Sequence, residues 1–213
     1  MSPPRHLVFL RHPRPAVAPG LCYGRLDVPL GPEATAETAA ALADTPRIVA
    51  VWHSPARRTH GLAAALAARD GVATVEDARL AELDFGAWEG MAWDAIDRAT
   101  SDRWAADPLN TAPPGGESFA ALLARVRAVL AAVPPGAAVV AHAGVVRAAR
   151  MLLTGTTFET VFAEPVAYAR PLVLPAPTMA SAIAPDAPDA PDAPDARATG
   201  GGRPAPEEPA WPT

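Results

Sequence analysis

The sequence predicts an α/β fold, a three-layer α/β/α sandwich with a mostly parallel central sheet and helices on both faces. Three observations predict it. Near-continuous apolar runs, LVFLR (7–11), IVAVW (48–52) and AVVAH (138–142), have the composition of strands covered on both sides. Alanine-rich stretches of helix-forming composition alternate with them, as in chains that wind helices over a sheet. Two of the strands run straight into a histidine, His12 and His142, and the carboxyl ends of parallel strands share one edge. Imidazoles 130 residues apart can therefore meet in one crevice.

In chain order, strand 7–11 is followed by helical composition at 32–43, strand 48–52, a helix at 56–69, and a weaker edge-strand candidate, VATVE, at 72–76. Helical stretches follow at 91–99 and 118–132, the second opened by Ser118 as N-cap. Strand 138–142, a helix at 144–153 and a second edge candidate, PLVLP at 171–175, complete the series. Residues 1–177 read as one catalytic domain. After that, PDA repeats from Pro185 to Ala196, and a proline every third residue excludes helix and central strand. Residues 178–213 therefore read as a disordered Pro/Ala/Asp-rich tail, and deleting them is expected to leave folding and activity intact.

A chain of 213 residues with a formal charge of −5 gives a polyanion no basic face, so nucleic acid is excluded as a partner. No apolar stretch approaches the eighteen residues of a membrane span, and the apolar run before Arg11 is too short for a signal-peptide core. A single cysteine, Cys22, forms no internal disulfide and fits a packed, inert thiol in a reducing cytoplasm. Nothing in the pattern specifies an oligomeric state.

Four groups of reactive residues sit at strand ends or in loops that can approach the same edge: Arg11-His12, His53 to Arg58, Glu82 and His142. Backbone N–H groups at a helix start, together with arginine, make a place for an anion. In HSPARR, Ser54 or Pro55 opens the helix and puts the guanidiniums in its first turn. A phosphoryl group needs cationic donors, an in-line nucleophile and an acid for the leaving oxygen. Arginines beside a histidine favour its neutral, nucleophilic form, and a carboxyl such as that of Glu82 can act as acid and then as base. Asp77, Asp84 and Glu89 are nearby alternatives to Glu82, and Arg57 is the neighbour of Arg58.

The segment LRHPRP (10–15) resembles the Arg-His-Gly signature of the histidine phosphatase superfamily, in the branch with phosphoglycerate mutase-like members. Three more segments follow in that family's order: SPARRTHGLAAAL from Ser54, RLAELDFGAWEG (79–90) and VVAHAGVVR (139–147). The resemblance spans residues 5–175 and implies a phosphoglycerate mutase-like fold. It implies His12 as the residue phosphorylated, Arg11, Arg58 and His142 as holders of the phosphoryl oxygens, and Glu82 as general acid and base. No metal and no cofactor are implied.

The chain departs from the pattern at Pro13, where glycine is usual, at Pro15 in place of a frequent threonine, and at Ala18, where mutases place asparagine. It also lacks the mutases' longer middle insertions. These departures favour a hydrolase over a mutase. PGLCYGRLDVPLG (19–31) is similar to the matching stretch of α-ribazole phosphatase-like members, which act in cobalamin biosynthesis, and this resemblance would set Cys22, Tyr23 and Arg25 near the substrate. PPGGESF (113–119) fits the same small phosphatases. The expected function is a metal-independent phosphomonoesterase acting on a small phosphorylated metabolite, α-ribazole 5′-phosphate being the specific candidate. Phosphoglycerate mutase-type transfer and a non-catalytic phospholigand-binding relative are the alternatives. A metal-centred hydrolase is disfavoured because arginines among the ligands repel a divalent cation. His53 reads as structural, His6 and His60 as surface or packing positions, and Phe85 and Trp88 as anchors of the loop that carries Glu82.

Overall fold

A computed structural model describes residues 6–177, so the tail assigned to 178–213 lies outside the described residues. Five strands, β1 (His6–Arg11), β2 (Val51–His53), β3 (Thr74–Glu76), β4 (Ala138–Ala141) and β5 (Pro171–Pro175), form one sheet in the order β3-β2-β4-β1-β5. All neighbours are parallel except β5, which runs antiparallel to β1. Register pairs Arg11 with Ala141 and His53 with Val140. The residues that follow β1, β2 and β4, including His12, Ser54 and His142, therefore emerge side by side on one edge.

Period-two alternation divides the strands between two cores. Leu7 and Phe9 of β1 and Val139 and Ala141 of β4 pack on one face with helices α4 (Phe119–Leu130) and α5 (Ala143–Thr154). Val8, Leu10, Ala138 and Val140 pack on the other with α1 (Ala34–Asp44) and α2 (Arg57–Asp70). This is the predicted three-layer sandwich. Among the described residues, no helix is long and apolar enough to cross a membrane. A third, smaller cluster of Cys22, Trp88, Ile96 and Trp104 lies over the site edge and brings in α3 (Arg98–Ala106).

Several boundaries differ from the sequence reading, each for a local reason. The helix expected at 91–99 is instead a single 3-10 turn, Trp93–Ala95, followed by α3, because the Asp97 carboxylate caps the Thr100 amide at 2.9 Å and starts the helix there. The strand expected over 48–52 pairs only from Val51, since the amide of Ile48 donates to the Asp70 carboxylate at 2.9 Å. Helix α2 starts at Arg57 with Ala56 as its cap and without a side-chain capping bond, the Ser54 hydroxyl accepting from the Ala56 amide one residue earlier. Helix α6 (Phe158–Ala163), capped by Thr157, has no counterpart in the sequence reading. Ser118 does cap α4, accepting from the Ala121 amide.

Candidate active site

His12 leaves the end of β1 only 2% exposed, and its Nδ1 lies 2.7 Å from the carbonyl of Pro13. A carbonyl only accepts, so Nδ1 carries the proton and Nε2 keeps the lone pair. Pro13 lacks the amide that glycine would offer, yet its carbonyl fixes the tautomer a nucleophile needs. Burial holds the His12 pKa well below 6.5, and the Arg58 and Arg11 charges push it further down against the opposing bond to Pro13. The imidazole is neutral at physiological pH.

His142 caps α5 with its ring fully buried, 5.2 Å from the His12 ring. Its pKa is also held well below 6.5, chiefly by burial and then by His12 and the site arginines. Nε2 lies 2.7 Å from the Ser54 hydroxyl, which also accepts from the Ala56 amide at 3.2 Å. Nδ1 is buried with no hydrogen-bond partner among the described residues, and when the hydroxyl donates to Nε2 the ring proton sits on Nδ1.

Two guanidiniums complete the cluster. Arg11 donates through Nη1 to the Val166 carbonyl at 2.9 Å and through Nη2 to the Tyr168 hydroxyl at 2.8 Å, while its centre lies 3.7 Å above the Tyr168 ring. Arg58, 1% exposed, donates to the carbonyls of Leu26 (2.9 Å) and Gly24 (2.5 Å). The Nε atoms of both arginines are buried and have no partner among the described residues. Adjacent Arg57 points away, with its side chain 86% exposed beside Asp27, so the structure separates the two arginines that the sequence left open.

Glu82 lines the same pocket as Arg11, His12, Tyr23 and Arg58. Its Oε1 accepts from the Leu83 amide at 2.9 Å and its Oε2 from the Gly144 amide at 3.0 Å. Gly144 leaves room for that carboxylate, since a Cβ there would stand 2.3 Å from Oε1. Arg125 fixes the backbone beneath, donating to the carbonyls of Arg79, Ala81 and Glu82 and to the Glu117 carboxylate. The competing carboxylates have other occupations. Asp77 is held by Arg79, Asp84 caps the Gly86 amide, and Glu89 accepts from the amides of Gly24, Arg25, Leu26 and Phe85.

The structure thus brings His12, His142, Arg11, Arg58, Glu82 and Tyr23 together, with the Tyr23 hydroxyl raised in pKa by burial and by Tyr168. It does not bring Arg25. That side chain lies outside the pocket lining, paired at the surface with Asp84 and Glu117, because the Glu89 carboxylate turns the 24–26 backbone and directs it outward. Cys22 is buried, its thiol pushed up to about 12 by burial and Glu89. Sequence reasoning missed Tyr168, Arg147 and most of an aromatic wall formed by Phe85, Trp93, Trp104, Phe119, Phe158 and Phe162. Trp88 anchors the acid loop as expected, whereas Phe85 does so and also faces the pocket.

A family model of the histidine phosphatase superfamily (branch 1) matches residues 7–174. Among solved structures, mycobacterial glucosyl-3-phosphoglycerate phosphatase is 28% identical with a TM-score of 0.64, over 74% of this chain and 82% of that one. The α-ribazole phosphatase of Shigella flexneri, 21% identical with a TM-score of 0.70 over 79% and 89% of the two chains, shares the fold. A bifunctional protein of Mycobacterium tuberculosis is 36% identical over 131 residues, 58% of this chain. The chain spans only about a third of that relative, with 36% of it covered.

Proposed function

The chain belongs to the histidine phosphatase superfamily, branch 1, and on that premise we propose that it is a metal-independent phosphomonoesterase working through a phosphohistidine at His12. One observation carries the proposal: three buried nitrogens, Arg11 Nε, Arg58 Nε and His142 Nδ1, lack partners among the described residues around a histidine whose free nitrogen is Nε2. Buried donors without partners are rare and costly, and a phosphoryl group supplies the oxygens they need.

In the first half-reaction the Nε2 lone pair of His12 forms the bond to phosphorus as the ester P–O bond breaks. Glu82, as general acid, gives a proton to the leaving alkoxide. Arg11, Arg58 and His142 hold the three equatorial oxygens, and the two guanidinium charges oppose any cation that would share the site. In the second half-reaction Glu82 takes a proton from water, whose oxygen attacks phosphorus and frees His12. Ala18 stands where a mutase places asparagine, so no side-chain amide there retains the alcohol for back-transfer.

The substrate on this reading is a small phosphorylated metabolite, and α-ribazole 5′-phosphate, in cobalamin biosynthesis, is the specific candidate. Its support is the 19–31 segment and the aromatic wall of Trp93, Trp104, Phe158 and Phe162 beside the phosphoryl site, suited to a flat base on the alcohol side. A cytoplasmic setting fits the lone, buried Cys22. The test is phosphate release from p-nitrophenyl phosphate, 3-phosphoglycerate and α-ribazole 5′-phosphate, with chelator present. Release that survives chelator and vanishes in His12→Ala, with an acid-labile phosphoryl group trapped on the native enzyme, is expected. Turnover by His12→Ala, or loss of turnover with chelator, overturns the reading.

A further inference from the structure

The only group of three or more metal-ligating side chains among the described residues lies outside the phosphoryl pocket, where His53, His60 and Glu76 offer donor atoms all within 4.8 Å of one another. Three elements build it. His53 and Glu76 are paired neighbours at the ends of parallel strands β2 and β3, so their side chains leave the same face of the sheet. His60 comes down on that face from the first turn of α2, with its ring 5.3 Å from that of His53. The backbone thus fixes all three Cβ positions.

A backbone carbonyl fixes the tautomer of His53. Its Nδ1 lies 2.9 Å from the Ser54 carbonyl, so that nitrogen holds the proton and Nε2 presents its lone pair. On the other side, His60 Nε2 sits 3.4 Å from Glu76 Oε2 and 3.1 Å from the Pro55 carbonyl. A tetrahedral zinc ion with bonds of about 2.0–2.1 Å needs donors roughly 3.3 Å apart. The His60–Glu76 separation meets this, and the exposed ends of those two side chains can close on His53.

We propose that His53, His60 and Glu76 form a zinc site, with two imidazoles and one carboxylate bound and the fourth position left to water. The donor set selects the ion, since imidazole suits zinc and other late divalent metals and leaves magnesium and calcium unsatisfied. On binding, His60 Nε2 bonds the metal and its proton passes through solvent to Nδ1, so no ligand changes charge. The Pro55 contact is exchanged for a metal bond. The ion pins the first turn of α2 to the edge of the sheet at β2 and β3. The site takes no part in the proposed phosphoryl transfer and stands or falls apart from it.

The test is calorimetric titration of the chelator-stripped, desalted full chain with zinc chloride, with thermal unfolding recorded at each ratio. One equivalent bound and a rise in Tm of a few degrees are expected. His60→Ala and Glu76→Gln alter exposed side chains and should fold, as circular dichroism will verify. Each should weaken binding by no less than the roughly ten-fold that losing a ligand's outer partner costs, and each should abolish the Tm rise. His12→Ala should bind zinc like the native chain. Absence of zinc binding by the folded native protein, binding untouched by both variants, or binding lost in His12→Ala would each overturn the proposal.

Discussion

Gly144→Ala isolates the acid from the rest of the site. The added Cβ stands 2.3 Å from Glu82 Oε1 and 3.1 Å from Leu122 Cδ2, and ordinary contact lies about 1 Å farther from the oxygen. The atom displaced is the end of a flexible side chain, so the fold absorbs the change. Losing the bond from the Gly144 amide to Glu82 costs about 1.5–3 kcal/mol, and alanine returns up to ~1 kcal/mol of helix propensity at this position in α5. A net loss near 1 kcal/mol lowers Tm by only about 2–4 °C. A catalytic acid moved by ~1 Å loses about 10²-fold in rate. That loss should appear in full for an alkyl phosphate, whose leaving oxygen needs a proton. With p-nitrophenyl phosphate the leaving phenolate needs none, so His12 should be phosphorylated at near-native speed and hydrolysis of the phosphoenzyme should lag. The assay is stopped-flow release of nitrophenol, with a stoichiometric burst expected in the variant. Equal losses for both substrates without a burst, or alkyl turnover within two-fold of native, would refute the role given to Glu82.

Other substitutions separate the remaining parts. His12→Ala should lower kcat by roughly 10⁴–10⁶-fold in steady-state assays with a folded protein, the range seen when a nucleophile is removed. Arg125→Met breaks the contacts that pin the acid loop, and denaturant unfolding should show a loss of about 2–3 kcal/mol, with a fall in kcat that leaves phosphate binding intact. Tyr168→Phe keeps the ring under Arg11 but removes the hydroxyl that accepts from Nη2, so KM should rise several-fold with little change in Tm. The two buried histidines give stability a pH sign. Folded, they take up protons only well below 6.5, whereas the unfolded chain does so near 6.5, so the unfolded state holds more protons as pH falls. Their contribution is complete above about pH 6.5 and declines below it, with a slope of up to ~2.7 kcal/mol per pH unit for two sites. Unfolding midpoints at pH 7.5 and 5.5 test this, and His12→Asn should remove about half of that slope.

What the sequence disclosed follows from where its signals are local. Strand ends that run into histidine, a Ser-Pro-x-x-Arg turn and a Glu in a loop with aromatic anchors each lie within one short segment. The sheet's alternation of Leu7 and Phe9 against Val8 and Leu10 converts them into one edge. Tyr168 was invisible because its role comes from a bridge between its backbone and Arg11 across 157 residues, and nothing in PVAYAR marks it. The aromatic wall was hidden for a similar reason, since Trp93, Trp104, Phe119 and Phe158 come from four different elements, one of them the short α6. Arg25 was misplaced because proximity in sequence to Tyr23 says nothing about direction, and Glu89 turns the loop between them.

That turn also explains why carboxylates near Glu82 are not spare acids. The 24–26 segment is held from both sides. Glu89 accepts its three amides, and Arg58 donates to the carbonyls of Gly24 and Leu26. The arginine meant for phosphate and the loop meant for the acid are thereby joined through one stretch of backbone. With one N–H of Nη1 and one of Nη2 committed to that stretch, Arg58 keeps the unpartnered Nε among the donors it can offer a ligand, and Arg11 is tied in the same way to Val166 and Tyr168. Each buried donor left without a partner costs about 1–3 kcal/mol. The free protein bears that cost at three atoms around His12, and on the proposed mechanism an arriving phosphoryl group removes it at all three together. Preorganised donors of this kind need no rearrangement when charge builds on the transferring oxygens, which is where a phosphatase without a metal must find its rate.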